Sequence, residues 1–416
     1  MSKISIVLKS AVYHRACCLA LFFVAAAASF NGYYDKWQFR EYGSSGYKQG
    51  LTFDGMLDGT AARPYVYRQL LPIVANWIDR QVPERTKDLL FSISVPVKPQ
   101  FEAGYRNSPL VQNRKYNLRY LIVYGIVFLF AWAATIAMYL VGKEVGFEPT
   151  TAALSAVAMI LLIPYFQSIG GYFYDYPDLA FMAIAFWMAL KVDWWWIVPV
   201  AALATLNKES FLFFALTLYP LLRLRAPRFV AVIGNGVILL TCAAVYLTVK
   251  LHFQHNPGST VEFHLTYQLI YVITPMAQEL TEKTYGLYFL SGLSIFWCIV
   301  ISWVVWSGWR YLPPAIRRHA KLAAAINFPL YLLFGFPGEM RGLNLLYITF
   351  LLIIAANLSA WAGDQGKTPI PESGQSRAQS SAEFAPQGAG SEKHSARSSA
   401  ARRWSRGRKR DCPVER

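Results

Sequence analysis

Residues 118–141 read LRYLIVYGIVFLFAWAATIAMYLV, an apolar run with one charge in it. A hydrocarbon core of about 30 Å is crossed by roughly 17–25 residues of helix, so this run is long enough to span a membrane. Further apolar runs lie near 14–32, 151–169, 178–191, 194–207, 211–222, 229–250, 286–307, 321–337 and 342–361. Those around 178–222 are short, which predicts tilted or partly re-entrant segments. Of the 416 residues 55% are hydrophobic and 15% charged, whereas soluble domains are about a quarter charged. The expected fold is all-α, a polytopic transmembrane helical bundle of about ten spans covering residues 1–362.

The N-terminus has a basic start, an apolar centre and small residues at its end. That pattern fits a cleaved signal peptide or, with nine more runs following, an uncleaved first helix. Lys3, Lys9 and Arg15 precede the first run and place the N-terminus in the cytoplasm. Counting forward puts Lys143, Lys191, RLRAPR (223–228) and the segment from Arg310 to Lys321 on that same side. The loop 33–117 then lies outside despite its many basic residues, because loops beyond about 60 residues translocate largely regardless of charge. Within it, 63–80 has Leu70, Leu71, Ile73, Val74, Trp77 and Ile78 at helical spacing, the pattern of an amphipathic helix at the outer interface. Residues 363–416 are rich in Ser, Ala, Gly, Arg and Gln and are expected to be a disordered basic cytoplasmic tail. Their ARRWSRGRKR cluster reads as a solvated patch at the inner leaflet, and no nucleic-acid partner is expected.

The acidic residues of the short connections fall on the other face. GYFYDYPD (171–178) carries Asp175 and Asp178, ATLNKES (204–210) carries Lys208 and Glu209, and GEMRG (338–342) carries Glu339 and Arg341. Asp54 and Asp58 sit in the long loop, four residues apart. Each has a plain structural reading. Asp175 or Asp178 would complement a helix N-terminus beside Pro177. Lys208 and Glu209 would pair with each other, Glu339 and Arg341 would open a helix, and Asp54 and Asp58 would solvate a loop. Ionisable groups at membrane depth cost roughly 2.5–3.5 kcal/mol each, so several gathered on one face point further. A carboxylate can take the proton of an attacking hydroxyl; two can hold a divalent cation through oxygen ligands. Arginines clamp phosphate through two parallel hydrogen bonds. The candidate catalytic residues are therefore Asp54, Asp58, Asp175 and Asp178. The candidate substrate- or phosphate-binding residues are Arg63, Arg68, Lys208, Glu209, Glu339 and Arg341. Tyr65, Tyr67, Tyr172, Phe173, Tyr174 and Tyr176 would stack on sugar rings or anchor the chain at the interface. The five cysteines have no Cys-x-x-Cys spacing and the six histidines no His-Glu-x-x-His pattern, so any metal would be held by oxygen.

These patches, in this order, resemble the GT-C superfamily of membrane glycosyltransferases. PYVYRQLLP (64–72) is similar to the segment after the acidic first loop of many bacterial members. YDYPDLAF with ATLNKESFLFF resembles their acidic loop followed by a Leu-x-Lys/Arg-Glu turn. GEMRGLNLLYITFLL resembles their late Glu-x-Arg segment. The resemblance implies sugar transfer from a polyprenyl-phosphate-linked donor to an acceptor on the outer face of the inner membrane. It implies Asp54 or Asp58 as base or metal-associated carboxylate, and Arg68 near the carrier phosphate. The first loop lacks a tight Asp-x-Asp or Glu-Asp pair, which leaves open the catalytic carboxylate, a divalent cation such as Mg or Mn, and an inactive relative. The rival readings are a non-catalytic membrane scaffold or assembly protein and a lipid or solute transporter. Transporters place ionisable groups near the bilayer midplane, usually in repeats, whereas here they lie at span ends.

Overall fold

The computed structural model describes residues 3–37, 39, 52–95, 108–167, 172–259, 263–271, 273–274, 280, 282–290, 292–336 and 338–363. The tail expected at 363–416 lies outside the described residues beyond Gly363, as do 40–51 and 96–107 of the long loop. The described chain is largely α-helical, and five stretches are long and apolar enough to cross a membrane: Ala16–Lys36, Asn117–Val145, Pro149–Phe166, Arg228–His252 and Met340–Trp361.

In chain order, α1 is Lys3–Trp37, α2 Phe53–Asp58, α3 Leu70–Gln81, α4 Glu84–Ser94, α5 Asn117–Val145 and α6 Pro149–Leu162. Then come α7 Asp175–Lys191, α8 Ile197–Asn207, α9 Ser210–Thr217, α10 Tyr219–Arg225, α11 Arg228–His252 and α12 Leu265–Tyr271. A hairpin of β1 Glu282–Thr284 and β2 Leu287–Phe289 precedes α13 Ile295–Gly308, α14 Pro314–Phe334 and α15 Tyr347–Trp361.

The remaining apolar runs of the sequence are divided more finely than their hydropathy suggests. Pro220 at the start of α10 supplies no N–H to continue α9, so the run 211–222 becomes two short helices. The run 286–307 opens as the second strand of the hairpin. Tyr285 and Gly286 both take positive φ, 53° and 84°, the two-residue turn that matches strand twist. Helix α13 starts only at Ile295, where the Ser294 side chain accepts the Trp297 N–H. In the long loop the helix begins at Leu70, after a 3-10 turn at Tyr65–Tyr67. A further helix, α4, follows it that the apolar spacing does not announce.

Several faces that the protein does not bury are apolar. On α11, Ala231, Gly234, Ile238 and Cys242 are buried at helical spacing, while Phe229, Leu240, Leu247 and Leu251 are exposed. On α13, Ile299, Trp303 and Trp306 are exposed as well. A helix apolar all round is one that meets lipid on the side its neighbours leave uncovered.

Helix α5 is the hub and touches α1, α3, α4, α6, α7 and α15. Gly142 of α5 lies so close to α6 that an added Cβ would stand 2.9 Å from the Ala152 Cβ. At one end of the hub the rings of Phe39, Phe53, Tyr120 and Phe173 pack on one another. That cluster fixes α2 and the loop before α7 against α5. At the other side of the site, Asn327 of α14 donates to the Gly342 carbonyl at 2.8 Å and accepts the Leu345 N–H at 3.2 Å. Asn327 thereby holds the 3-10 segment Met340–Leu346 in place.

Candidate functional site

Asp175 and Asp178 open α7, three residues apart and hence on one face. The capping reading is met only in part. Asp175 Oδ2 accepts the Tyr172 N–H at 2.9 Å, ahead of the helix, and its other partners come from distant segments. Lys208 extends the chain between α8 and α9, its φ of −161° ending the helix there. Asn207 beside it donates to the Tyr174 carbonyl at 2.9 Å, tying this turn to the loop before α7.

From that turn the Lys208 ammonium reaches Asp178 Oδ2 at 3.1 Å and Asp175 Oδ1 at 3.4 Å. Arg341 donates to Glu339 Oε2 at 2.8 Å and to Asp175 Oδ2 at 3.3 Å. Tyr33 of α1 donates to the same Asp175 oxygen at 3.3 Å. Ser210 donates to Asp178 Oδ1 at 3.2 Å, and the Asn344 amide also donates to Asp178. The carboxylate side chains are 2% exposed at Asp178, 3% at Glu339 and 7% at Asp175. Charges that deep persist only when paired and hydrogen-bonded. Between them lies a cavity of about 20 Å³ lined by Gln167, Asp175, Asp178, Lys208, Arg341, Asn344 and Tyr347, room for a single water.

A second ion pair adjoins this cluster. Arg68 Nη2 donates to Glu209 Oε1 at 3.0 Å. The Arg68 guanidinium lies 4.6 Å from the Tyr174 ring centre and 5.2 Å from that of Tyr65. Tyr174 stacks on Tyr172, ring centres 5.1 Å apart and nearly parallel, and Arg341 covers Tyr172 at 4.7 Å. Of the aromatic residues named from sequence, Tyr65, Tyr172 and Tyr174 thus meet guanidinium groups, whereas Tyr67 packs on Tyr246 and Tyr176 on Tyr33. Arg68 is buried, yet its Nε and Nη1 have no hydrogen-bond partner among the described residues, and neither does Glu209 Oε2.

The other candidates stand apart from these contacts. Asp58 belongs to a different network: it accepts from Lys115 Nζ at 2.7 Å, Tyr116 OH at 2.8 Å and Arg119 Nη1 at 2.9 Å, latching α2 to α5. Burial alone would raise the Asp58 carboxyl, but those three hydrogen bonds hold it below the usual carboxylate range. Asp54 lies on α2 next to Phe53, whose ring packs 4.9 Å from Phe173. Its Oδ1 is buried with no partner among the described residues. Arg63 donates to the carbonyls of Gln254 at 3.0 Å and Gly258 at 2.7 Å. Gly258, at φ 96°, brings its backbone against Arg63 where a Cβ would meet the Arg63 carbonyl at 2.7 Å, so Arg63 clamps a loop.

Sequence reasoning passed over Tyr33, Ser210 and Asn344. All three are neutral polar residues, Ser210 following Glu209 and Asn344 set between two leucines, and no charge of their own marks them in the sequence. A divalent cation is poorly suited to the Asp175–Asp178 pair. The Lys208 ammonium bridges the two carboxylates where such an ion would stand, and every oxygen of the pair already accepts a hydrogen bond. Among the described residues no group of three or more His, Cys, Asp or Glu side chains converges as a metal site. No protein-family model, no curated protein and no solved structure matches the chain.

Proposed function

We propose that the chain is a membrane glycosyltransferase that moves a sugar from a polyprenyl-phosphate-linked donor to an acceptor on the outer face of the cytoplasmic membrane. The observation that carries this reading is the meeting of YDYPD, LNKES and GEMRGLN in one buried cluster at the ends of α7, α8 and the 3-10 segment before α15. In such a transfer the acceptor hydroxyl attacks the anomeric carbon and the bond from that carbon to the carrier phosphate breaks. The hydroxyl proton passes to a carboxylate, and the phosphate leaves with the bonding electrons. Asp175 or Asp178 takes the proton, and the neighbouring carboxylate opposes the positive charge that develops on the sugar ring. Arg68, whose Nε and Nη1 have no hydrogen-bond partner among the described residues, offers hydrogen bonds to the phosphate. Asp54, apart from this cluster and with its Oδ1 unpartnered among the described residues, is the further candidate carboxylate.

The same reading makes about ten crossings, with α7 to α10 as short, paired segments and both termini cytoplasmic. It lays α3 at the outer interface, where exposed Ile73 and Trp77 would face lipid. One observation favours the rival reading of a non-catalytic scaffold: the carboxylates are satisfied and the cavity between them is small.

The deciding experiment supplies membranes with a labelled pool of polyprenyl-linked sugar and measures transfer by Asp54→Asn, Asp175→Asn and Asp178→Asn. Asn is nearly isosteric and caps a helix about as well as Asp, so a structural role predicts near-normal transfer in all three. A base or charge-stabilising role predicts a loss on the order of a hundredfold for Asp175 or Asp178 at unchanged protein level. Normal transfer throughout would leave the scaffold reading standing.

A further inference from the structure

Helix α13 packs against α15 and, with α14, borders an apolar groove of about 370 Å³, a volume typical of ligand sites. Its wall on the α13 side runs from Cys298 to Trp309. At 1.5 Å per residue that is on the order of 16 Å, close to half of a hydrocarbon core of about 30 Å. The groove therefore has the length of one leaflet.

The two ends of the groove differ in charge. At one end Tyr347 is shared with the carboxylate cavity, where Lys208 and Arg341 are each already held between two carboxylates. At the other end Lys321 is the charged residue of the lining. It is exposed, with no hydrogen-bond or ion-pair partner among the described residues. Arg317 and Arg318 precede it on α14, and between Glu282 and Glu339 the sequence contains no Asp or Glu. Among the described residues no anion pairs with this cluster.

We propose that the groove is a binding site for an anionic phospholipid of the leaflet on the basic-loop side, its acyl chain along α13 and its phosphate at Lys321, Arg317 and Arg318. An apolar groove open to a bilayer takes an acyl chain whatever the headgroup, and the basic residues at its mouth select the headgroup, as basic pockets between transmembrane helices do. The site stands independently of glycosyl transfer.

The test is lipid binding to the purified full-length chain in neutral detergent, titrated with phosphatidylglycerol or phosphatidylcholine of the same acyl composition and read by native mass spectrometry. Phosphatidylglycerol is expected to bind at least tenfold more tightly, and inorganic phosphate at the same concentration not to compete with it. Lys321→Ala, at an exposed position, should weaken phosphatidylglycerol about fivefold, since each cation near the headgroup contributes on the order of 1 kcal/mol. Adding Arg317→Gln and Arg318→Gln should bring the loss to on the order of a hundredfold. Ser302→Trp, which fills the groove from an exposed position, should abolish binding of both lipids. Equal binding of the two lipids, or no change in Lys321→Ala, overturns the proposal. So does a polyprenyl phosphate that displaces the phospholipid with the same affinity in Lys321→Ala as in the wild type.

Discussion

Replacing Lys208 with Met keeps an unbranched stem and removes only the ammonium that bridges Asp175 and Asp178. At 3.1 and 3.4 Å, and at an effective dielectric of about 20, each attraction is worth roughly 5 kcal/mol in gross Coulomb energy. Desolvation of the three ions offsets much of that. Removing one member of such a buried set nevertheless leaves Asp178, 2% exposed, with only the neutral donors Ser210 and Asn344, beside Asp175, 7% exposed, which keeps Arg341 alone as its cation. The expected loss of stability is about 3–5 kcal/mol. Asp178→Asn is milder, about 1.5–3 kcal/mol, the scale of a lost hydrogen bond to a charged group; Lys208 keeps Asp175, and the new amide still accepts from Ser210. The informative species is the double variant Lys208→Met/Asp178→Asn, in which the repelling pair no longer exists. Its loss should fall short of the sum of the two single losses by about 1–3 kcal/mol. The assay is unfolding of the detergent-solubilised chain in an SDS titration read by tryptophan fluorescence. Additivity within about 0.5 kcal/mol, or a Lys208→Met variant as stable as the wild type, would refute the argument that the ammonium compensates this carboxylate pair.

The Asp58 latch should give the chain an acid limb. The folded carboxyl is held below its unfolded value of about 3.9, so its contribution is fully present above that pH and lost as pH falls through the lowered value. Melting temperature should drop steeply below about pH 4 in the wild type and less steeply in Asp58→Asn, and superimposable acid limbs would rule the latch out. Topology is checked at the two ends of α11 in a background without native cysteines. His255→Cys, at an exposed position just beyond the helix, should react with an impermeant thiol reagent on whole cells, and Arg228→Cys should not; labelling at residue 228 alone would invert the proposed orientation.

What the sequence makes legible here follows from the expense of charge at membrane depth. Asp175, Asp178, Lys208, Glu339 and Arg341 each sit beside an apolar run. A charge so placed must find a partner or stay at the surface, so these residues could be singled out before any fold was known. Their pairing could not. The sequence sets Lys208 beside Glu209, but the ammonium turns to α7 and Glu209 takes Arg68 instead. Asp54 and Asp58 look equivalent at a spacing of four. Only the fold brings Lys115 and Arg119 to Asp58, across a separation that no local pattern encodes. The hairpin at 282–289 was hidden for a different reason: a short apolar run does not distinguish a strand from a helix, and its Tyr285–Gly286 turn carries no charge to mark it.

The same expense gives unpaired charges their meaning. Where acid and base lie at one depth, as around Asp175, the chain can compensate itself, and burial is the expected result. From residue 283 to residue 338 it has only bases, so no fold of that segment by itself could neutralise Arg317, Arg318 and Lys321. Their counter-charge has to come from another part of the chain or from the surroundings. Among the described residues no side chain pairs with any of the three; Lys321 lines a largely apolar groove, and Arg317 and Arg318 lie about one turn before it on α14. A molecule with a long apolar part and an anionic head satisfies both conditions, and a bilayer supplies it in excess.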